Sequence, residues 1–99
     1  MPPTCPHCGA LARPGVVWFG EVLDERDVSA AEALTACDVF IAAGTSAIVY
    51  PAAGLLHAAR RRGAFTAELN IEETEATAAV DVAIQGPVEE TLTAIEAML

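Results

Sequence analysis

Ninety-nine residues allow one domain at most. The chain is 54% apolar with a mean hydropathy of +0.42, which excludes disorder through low hydrophobicity. A net charge of −9, with all five cations arginine, argues against nucleic acid or an anionic membrane as a partner.

In chain order, residues 1–15 are rich in turn formers (Pro2, Pro3, Pro6, Gly9, Pro14, Gly15) and read as a small irregular subdomain. Within it, Cys5-Pro6-His7-Cys8-Gly9 is a CxxC knuckle, whose two cysteines can present two thiolates to one tetrahedral zinc. A complete zinc ribbon needs a second pair about 15–20 residues away. None follows, so Cys5 and Cys8 make half a site. The competing use of CxxC, a thioredoxin-like redox pair, sits between a strand and a helix N-terminus. Here prolines and a glycine flank the pair, with no strand ahead. His7 reads as a solvated loop residue and Cys37 as a small core residue.

Val16–Phe19 is a short β-branched and aromatic run, predicted as a strand halted at Gly20. A helix is predicted over Val28–Cys37 with Asp27 as its N-cap. A buried strand, Asp38–Ala43, runs into Gly44-Thr45-Ser46. Pro51 opens a second helix as a first-turn proline, and Gly63 closes it just past Arg60, Arg61 and Arg62, whose charges complement the helix dipole. Strands follow at Ala64–Leu69 and Val80–Ile84, the latter ended by Gly86-Pro87, and Glu89–Leu99 is a final helix. Alternating strands and helices of this kind predict an α/β fold, a parallel sheet with flanking helices amounting to part of a Rossmann-like nucleotide-binding domain. No apolar run reaches the roughly 18 residues of a membrane span, and no signal peptide opens the chain. A reducing, cytoplasmic setting is expected.

Several motifs stand in one order: CPHCG at 5–9, RPGVVWFGE at 13–21, GTS at 44–46, YPAAGL at 50–55 and ELN at 68–70. Together they resemble the C-terminal portion of a sirtuin, an NAD-dependent protein-lysine deacylase, with the VVWFGE spelling similar to the bacterial and desuccinylase-like branch. The resemblance implies that residues 1–15 are the second half of a zinc-binding subdomain and 16–99 the C-terminal portion of the NAD-binding domain. It implies cofactor contacts at Gly44, Thr45, Ser46, Asn70 and Val88. It also implies that an acylated-lysine protein substrate adds as a strand between Val17–Glu21 (Val17, Phe19, Gly20, Glu21) and Ala47–Tyr50 (Ala47, Ile48, Val49, Tyr50). In the family, the catalytic histidine, a GAGxS phosphate loop and the other cysteine pair lie ahead of the position of Met1, and His57 does not match a catalytic position. This chain alone is therefore expected to hold no catalytic residue and to be inactive. The alternative is a non-catalytic nucleotide- or peptide-binding module, or one half of a split enzyme that pairs with a separately encoded N-terminal half.

Overall fold

The computed structural model describes all of residues 1–99. Helix α1 spans Glu25–Leu34, three residues earlier at each end than the sequence pattern predicts. The reason lies in the cap. Asp24, not Asp27, takes the N-cap position, and its side chain accepts the Arg26 N–H at 2.8 Å. Asp27 instead joins Glu25 in the first turn, where a carboxylate complements the helix dipole.

Strand β1 (Val39–Ala43), helix α2 (Ala52–Arg61), strand β2 (Phe65–Asn70), a 3-10 turn (Thr77–Ala79), strand β3 (Val82–Gln85) and helix α3 (Val88–Glu96) follow. The three strands form a parallel sheet in the order β1-β2-β3. This is the α/β architecture that the alternating pattern predicts. Pro51 is the N-cap of α2 rather than its first helical residue. The 3-10 turn is not visible in the sequence pattern.

Val16–Phe19 forms no strand. Its composition suits an extended chain, but a strand exists only through a ladder partner, and neither Val17 nor Phe19 makes a backbone hydrogen bond within the chain.

The core is thin. Only 11 of 99 residues are buried, and the seven apolar ones are five alanines plus Leu56 and Leu69. Ala59, with no exposed surface, lets α2 approach the sheet closely. Along β2, Thr66, Glu68 and Asn70 alternate and so share one face. All three are buried, and each has partners. The Thr66 N–H and hydroxyl both bond Asp81 Oδ2 at 2.8 Å. Glu68 accepts hydroxyl protons from Thr74 and Thr77. No buried side-chain nitrogen or oxygen lacks a partner, as buried polar groups require. On the other face, Val39, Ile41, Phe65, Val82 and Ile84 stand between 37% and 54% exposed.

The arginine run does more than complement a dipole. Arg62 donates to the Thr35 hydroxyl at 2.6 Å and the Glu32 carbonyl at 3.1 Å, so the C-terminal end of α2 caps the C-terminal end of α1. Arg60 donates to Thr66 Oγ1 and the Ala79 carbonyl and lies 3.7 Å from Asp81, fastening α2 to the connection before β3.

Residues 1–21 behave differently. All their hydrogen bonds close among themselves, and none reaches past Glu21. They extend the molecule to 50 × 28 × 26 Å with a radius of gyration of 17.1 Å, against about 13 Å for a compact chain of this size.

Candidate functional site

The carboxyl ends of the three strands bring distant residues together. Gly44 follows β1 and donates its N–H to the Leu69 carbonyl at 2.9 Å; Gly86 follows β3 and donates to the Asn70 carbonyl at 2.9 Å. Asn70 ends β2, and its Nδ2 donates to the Thr45 carbonyl at 2.8 Å. The Thr45 hydroxyl accepts the Ala47 N–H at 3.2 Å. Gly44 has φ +64°, and a Cβ there would meet Val88 Cγ2 at 3.6 Å. Thus Gly44, Thr45, Asn70 and Val88, spread over 45 positions of sequence (44 to 88, inclusive), converge at one end of the sheet. Ser46 is exposed in the same loop.

This end suits a ribose-bearing ligand on its own chemistry. Asn70 is 9% exposed and uses Nδ2 internally, leaving Oδ1 as an acceptor for a hydroxyl. The first turn of α3 has no side-chain cap, so its N–H groups are left open near the same region, although Glu89 and Glu90 in that turn offset the positive end of the helix dipole. Open parallel sheets bind ligands here, beyond the strands' carboxyl ends.

A second feature is an open groove of about 400 Å³ walled by Val16–Glu21 and Leu23 on one side and Val49–Ala52 on the other. Val17, Phe19, Gly20, Glu21, Val49 and Tyr50 therefore meet across it. Ala47 does not: it lines a separate hollow with Phe40 and Leu56. Ile48 lines neither and is 55% exposed. Sequence reasoning also missed Leu23, Pro51 and Ala52 as lining residues.

The first wall is shaped by a turn. The Glu21 N–H bonds the Trp18 carbonyl at 3.0 Å, and Gly20 holds φ +88°, a left-handed value that a side chain would strain. The Glu21 carboxylate accepts the Trp18 N–H at 3.0 Å and pairs with Arg13 at 3.1 Å; Arg13 also reaches the Val16 carbonyl at 3.3 Å. Glu21 is thus committed to bracing the loop. Two opposite charges flanking a glycine turn are the signal that could have revealed this brace. Phe19, at the turn's tip, is 92% exposed.

The knuckle is a third feature. Gly9 donates to the Cys5 carbonyl at 2.9 Å, Cys5 to the Ala10 carbonyl at 2.8 Å, and Thr4 and Leu11 bridge antiparallel. The Cys5 thiol accepts the backbone N–H groups of His7 and Cys8 and the Cys8 thiol proton, which hold it below the ordinary thiol range. Cys8 is exposed. No group of three or more His, Cys, Asp or Glu side chains gathers anywhere. The knuckle fits two positions of a tetrahedral thiolate site and no more. Cys37 is half-buried rather than a core residue, its sulfur 3.8 Å from the Thr35 carbonyl. His57 is half-buried on α2, lining neither the strand ends nor the groove.

The Sir2 family model matches residues 1–51, just over half of the chain. The chain belongs to the Sir2 family. It is 45% identical over 93 residues to NAD-dependent protein deacylase 2 of Pyrobaculum aerophilum, covering 93% of this chain and 37% of that protein. It thus spans a little over a third of that relative's length. Among solved structures, a Sir2 homologue mutant in complex with ADP-ribose superposes with a TM-score of 0.82 at 43% identity, covering 91% of this chain and 36% of that one. Sir2Tm bound to a propionylated peptide superposes with a TM-score of 0.83 at 30% identity, covering 97% of this chain and 41% of that one. The parallel sheet with flanking helices is therefore part of the Sir2 nucleotide-binding fold. No helix is long and apolar enough to cross a membrane.

Proposed function

We propose that this chain is the nucleotide- and peptide-binding portion of an NAD-dependent protein-lysine deacylase. The observation that carries the reading is the convergence of Gly44, Thr45, Asn70 and Val88 at the strand ends, with the 17–21 and 49–50 walls forming one groove.

When bound, NAD supplies the ADP-ribose that accepts the acyl group. Asn70 Oδ1 would accept a ribose hydroxyl proton, Ser46 and the 44–46 backbone would border the ribose and phosphate, and Val88 would pack beside the base. Gly44 leaves room for that approach. An acyl-lysine peptide would enter the groove as an added strand, because Val17 and Phe19 have free main-chain groups and Phe19 is bare. Of the second rail, Val49 and Tyr50 would touch the peptide. Ala47 and Ile48 would contribute backbone only. Cys5 and Cys8 would bind zinc in half of a tetrahedral site. The open sheet face bearing Val39, Ile41, Phe65, Val82 and Ile84 would be covered by a further polypeptide segment, in the same protein or separately encoded. Three free cysteines fit a reducing cytoplasm.

Calorimetric titration of the chain with ADP-ribose tests the nucleotide half, and loss of about tenfold in affinity for Asn70→Ala is the expected result. An acetyl-lysine peptide should quench or shift the fluorescence of Trp18, the single tryptophan. If ADP-ribose gives no saturable heat, the strand ends are not a nucleotide site.

A further inference from the structure

Glu68 is a carboxylate in the middle strand of the sheet, 2% exposed, and neither ion pair of the chain includes it. We propose that Glu68 is a positioning residue for the nucleotide end: through Thr74 and Thr77 it fixes the segment that leaves Asn70. The inference rests on reading the strand ends as a nucleotide site.

A buried carboxylate without a cation is costly unless hydrogen-bond donors replace the lost water. Here two hydroxyls do so. Thr74 donates to one carboxylate oxygen and Thr77 to the other. Each hydroxyl oxygen also accepts a main-chain N–H from the same segment, Thr74 from Ala76 at 3.0 Å and Thr77 from Thr74 at 2.9 Å. The Thr77 N–H closes the turn on the Thr74 carbonyl at 3.2 Å. The carboxylate and the 74–77 turn therefore form one closed network, and a fully satisfied buried network of this kind rigidifies what it joins.

The turn belongs to the crossover from β2 to β3. Parallel crossovers commonly take about a dozen residues or more, with a helix. This one has eleven residues, 71 to 81, and only the 3-10 turn, so the side chains beneath it set its path. Its far half is tied by Arg60, which donates to the Ala79 carbonyl, and by Asp81, which accepts from Thr66. The near part differs. Ile71, Glu72 and Glu73 are exposed and make no hydrogen bond or ion pair within the chain. They run between two anchors: Asn70, bonded to Thr45 and Gly86, and Thr74, bonded to Glu68. Asn70 is the residue with Oδ1 left for a ribose hydroxyl, so these three residues form the rim beside it. Without the second anchor the rim is fixed at one end alone. Glu68 itself lies two positions before Asn70 on the same buried face of β2 and acts on the rim only through the two threonines.

The test is calorimetric titration of the chain with ADP-ribose, at a temperature where circular dichroism shows every variant folded. Glu68→Gln and Thr74→Val should each weaken binding about tenfold, as expected when the competent rim is populated about a tenth of the time. Amide exchange should quicken most at Thr74, Ala76 and Thr77, whose N–H groups the turn holds. Thr74→Ser keeps the hydroxyl and should bind like the unaltered chain. Arg60→Ala frees only the far half, so it should lower the melting temperature and leave the affinity unchanged. If Glu68→Gln does not fold, the two Thr74 variants decide the matter. Lower melting temperatures for Glu68→Gln and Thr74→Val with affinity intact would overturn the inference and leave the nucleotide reading standing. An equal loss of affinity in Arg60→Ala and Thr74→Val would also overturn it, because general loosening of the crossover would then be the cause. No saturable heat from the unaltered chain would overturn the nucleotide reading, and the positioning role with it.

Discussion

The body from Glu25 to Glu96 and the arm from Met1 to Glu21 are built on opposite principles. In the body, buried polar side chains are tied across elements: Thr66 to Asp81, Glu68 to Thr74 and Thr77, Asn70 to Thr45, Arg62 to Thr35. In the arm, every bond is local, and Val16, Val17, Trp18 and Phe19 are more than half exposed. The difference teaches that a segment can carry strong strand composition and strong family motifs yet obtain no tertiary support within its own chain. Its apolar and main-chain groups stay unpaired, and these are the groups that the proposed peptide groove and zinc half-site would use.

Mutations that strike only one region break this comparison. Leu69→Ala has the largest expected effect. Leu69 is one of two large apolar side chains in the core, and such truncations cost about 2–5 kcal/mol. Urea unfolding followed by circular dichroism should register the loss, whereas Trp18 emission in the absence of denaturant should hardly move. Next, Arg62→Ala removes two charge-assisted bonds to the end of α1 and should lower stability by about 1–3 kcal/mol, with faster amide exchange confined to α1.

The Asp81 carboxyl provides a pH test. The Thr66 backbone N–H, then the Thr66 hydroxyl, and to a lesser degree Arg60 hold it below the ordinary carboxylate range, against a smaller opposing effect of desolvation. The folded state thus binds that proton less tightly than the unfolded chain. Its stabilisation is complete above the unfolded value, near about 3.9, and is lost as pH falls through the lowered folded value. Asp81→Asn should flatten the acid limb of a melting-temperature profile; an unchanged limb would mean the Asp81–Thr66 contact adds nothing.

The smallest effect is expected in the arm. Glu21→Gln weakens the brace to Arg13 and the Trp18 N–H. Both partners are well exposed, so global stability should change by no more than about 0.5 kcal/mol. Trp18 fluorescence anisotropy should nonetheless fall as the turn loosens. A large drop in melting temperature instead would show that the arm supports the body after all.

Much of this was legible locally. The strand and helix order from Asp38 onward, the glycine stop at 63, the Gly86-Pro87 break and the CxxC knuckle are written in short-range chemistry: β-branched runs, prolines, glycines and thiol spacing. The Gly44-Thr45-Ser46 turn was visible for the same reason. The start of α1 was misjudged because Asp24 and Asp27 are equally able caps, and only the hydrogen bond to Arg26 distinguishes them. Asp81, Glu68 and the arginine bonds left no local trace, since each partner lies between 6 and 30 positions away.

Sequence by itself determined which segments could be strands and helices, because backbone propensity and capping act within a few residues. It also determined which polar, apolar and thiol side chains each segment carries. Tertiary structure decided which of them meet. Parallel pairing brought the ends of β1, β2 and β3 side by side, so Asn70 reached Thr45 and Val88 reached Gly44. Val16–Phe19 pairs with neither free edge of that sheet, and without a neighbour to share a hydrogen-bond ladder the run forms no strand.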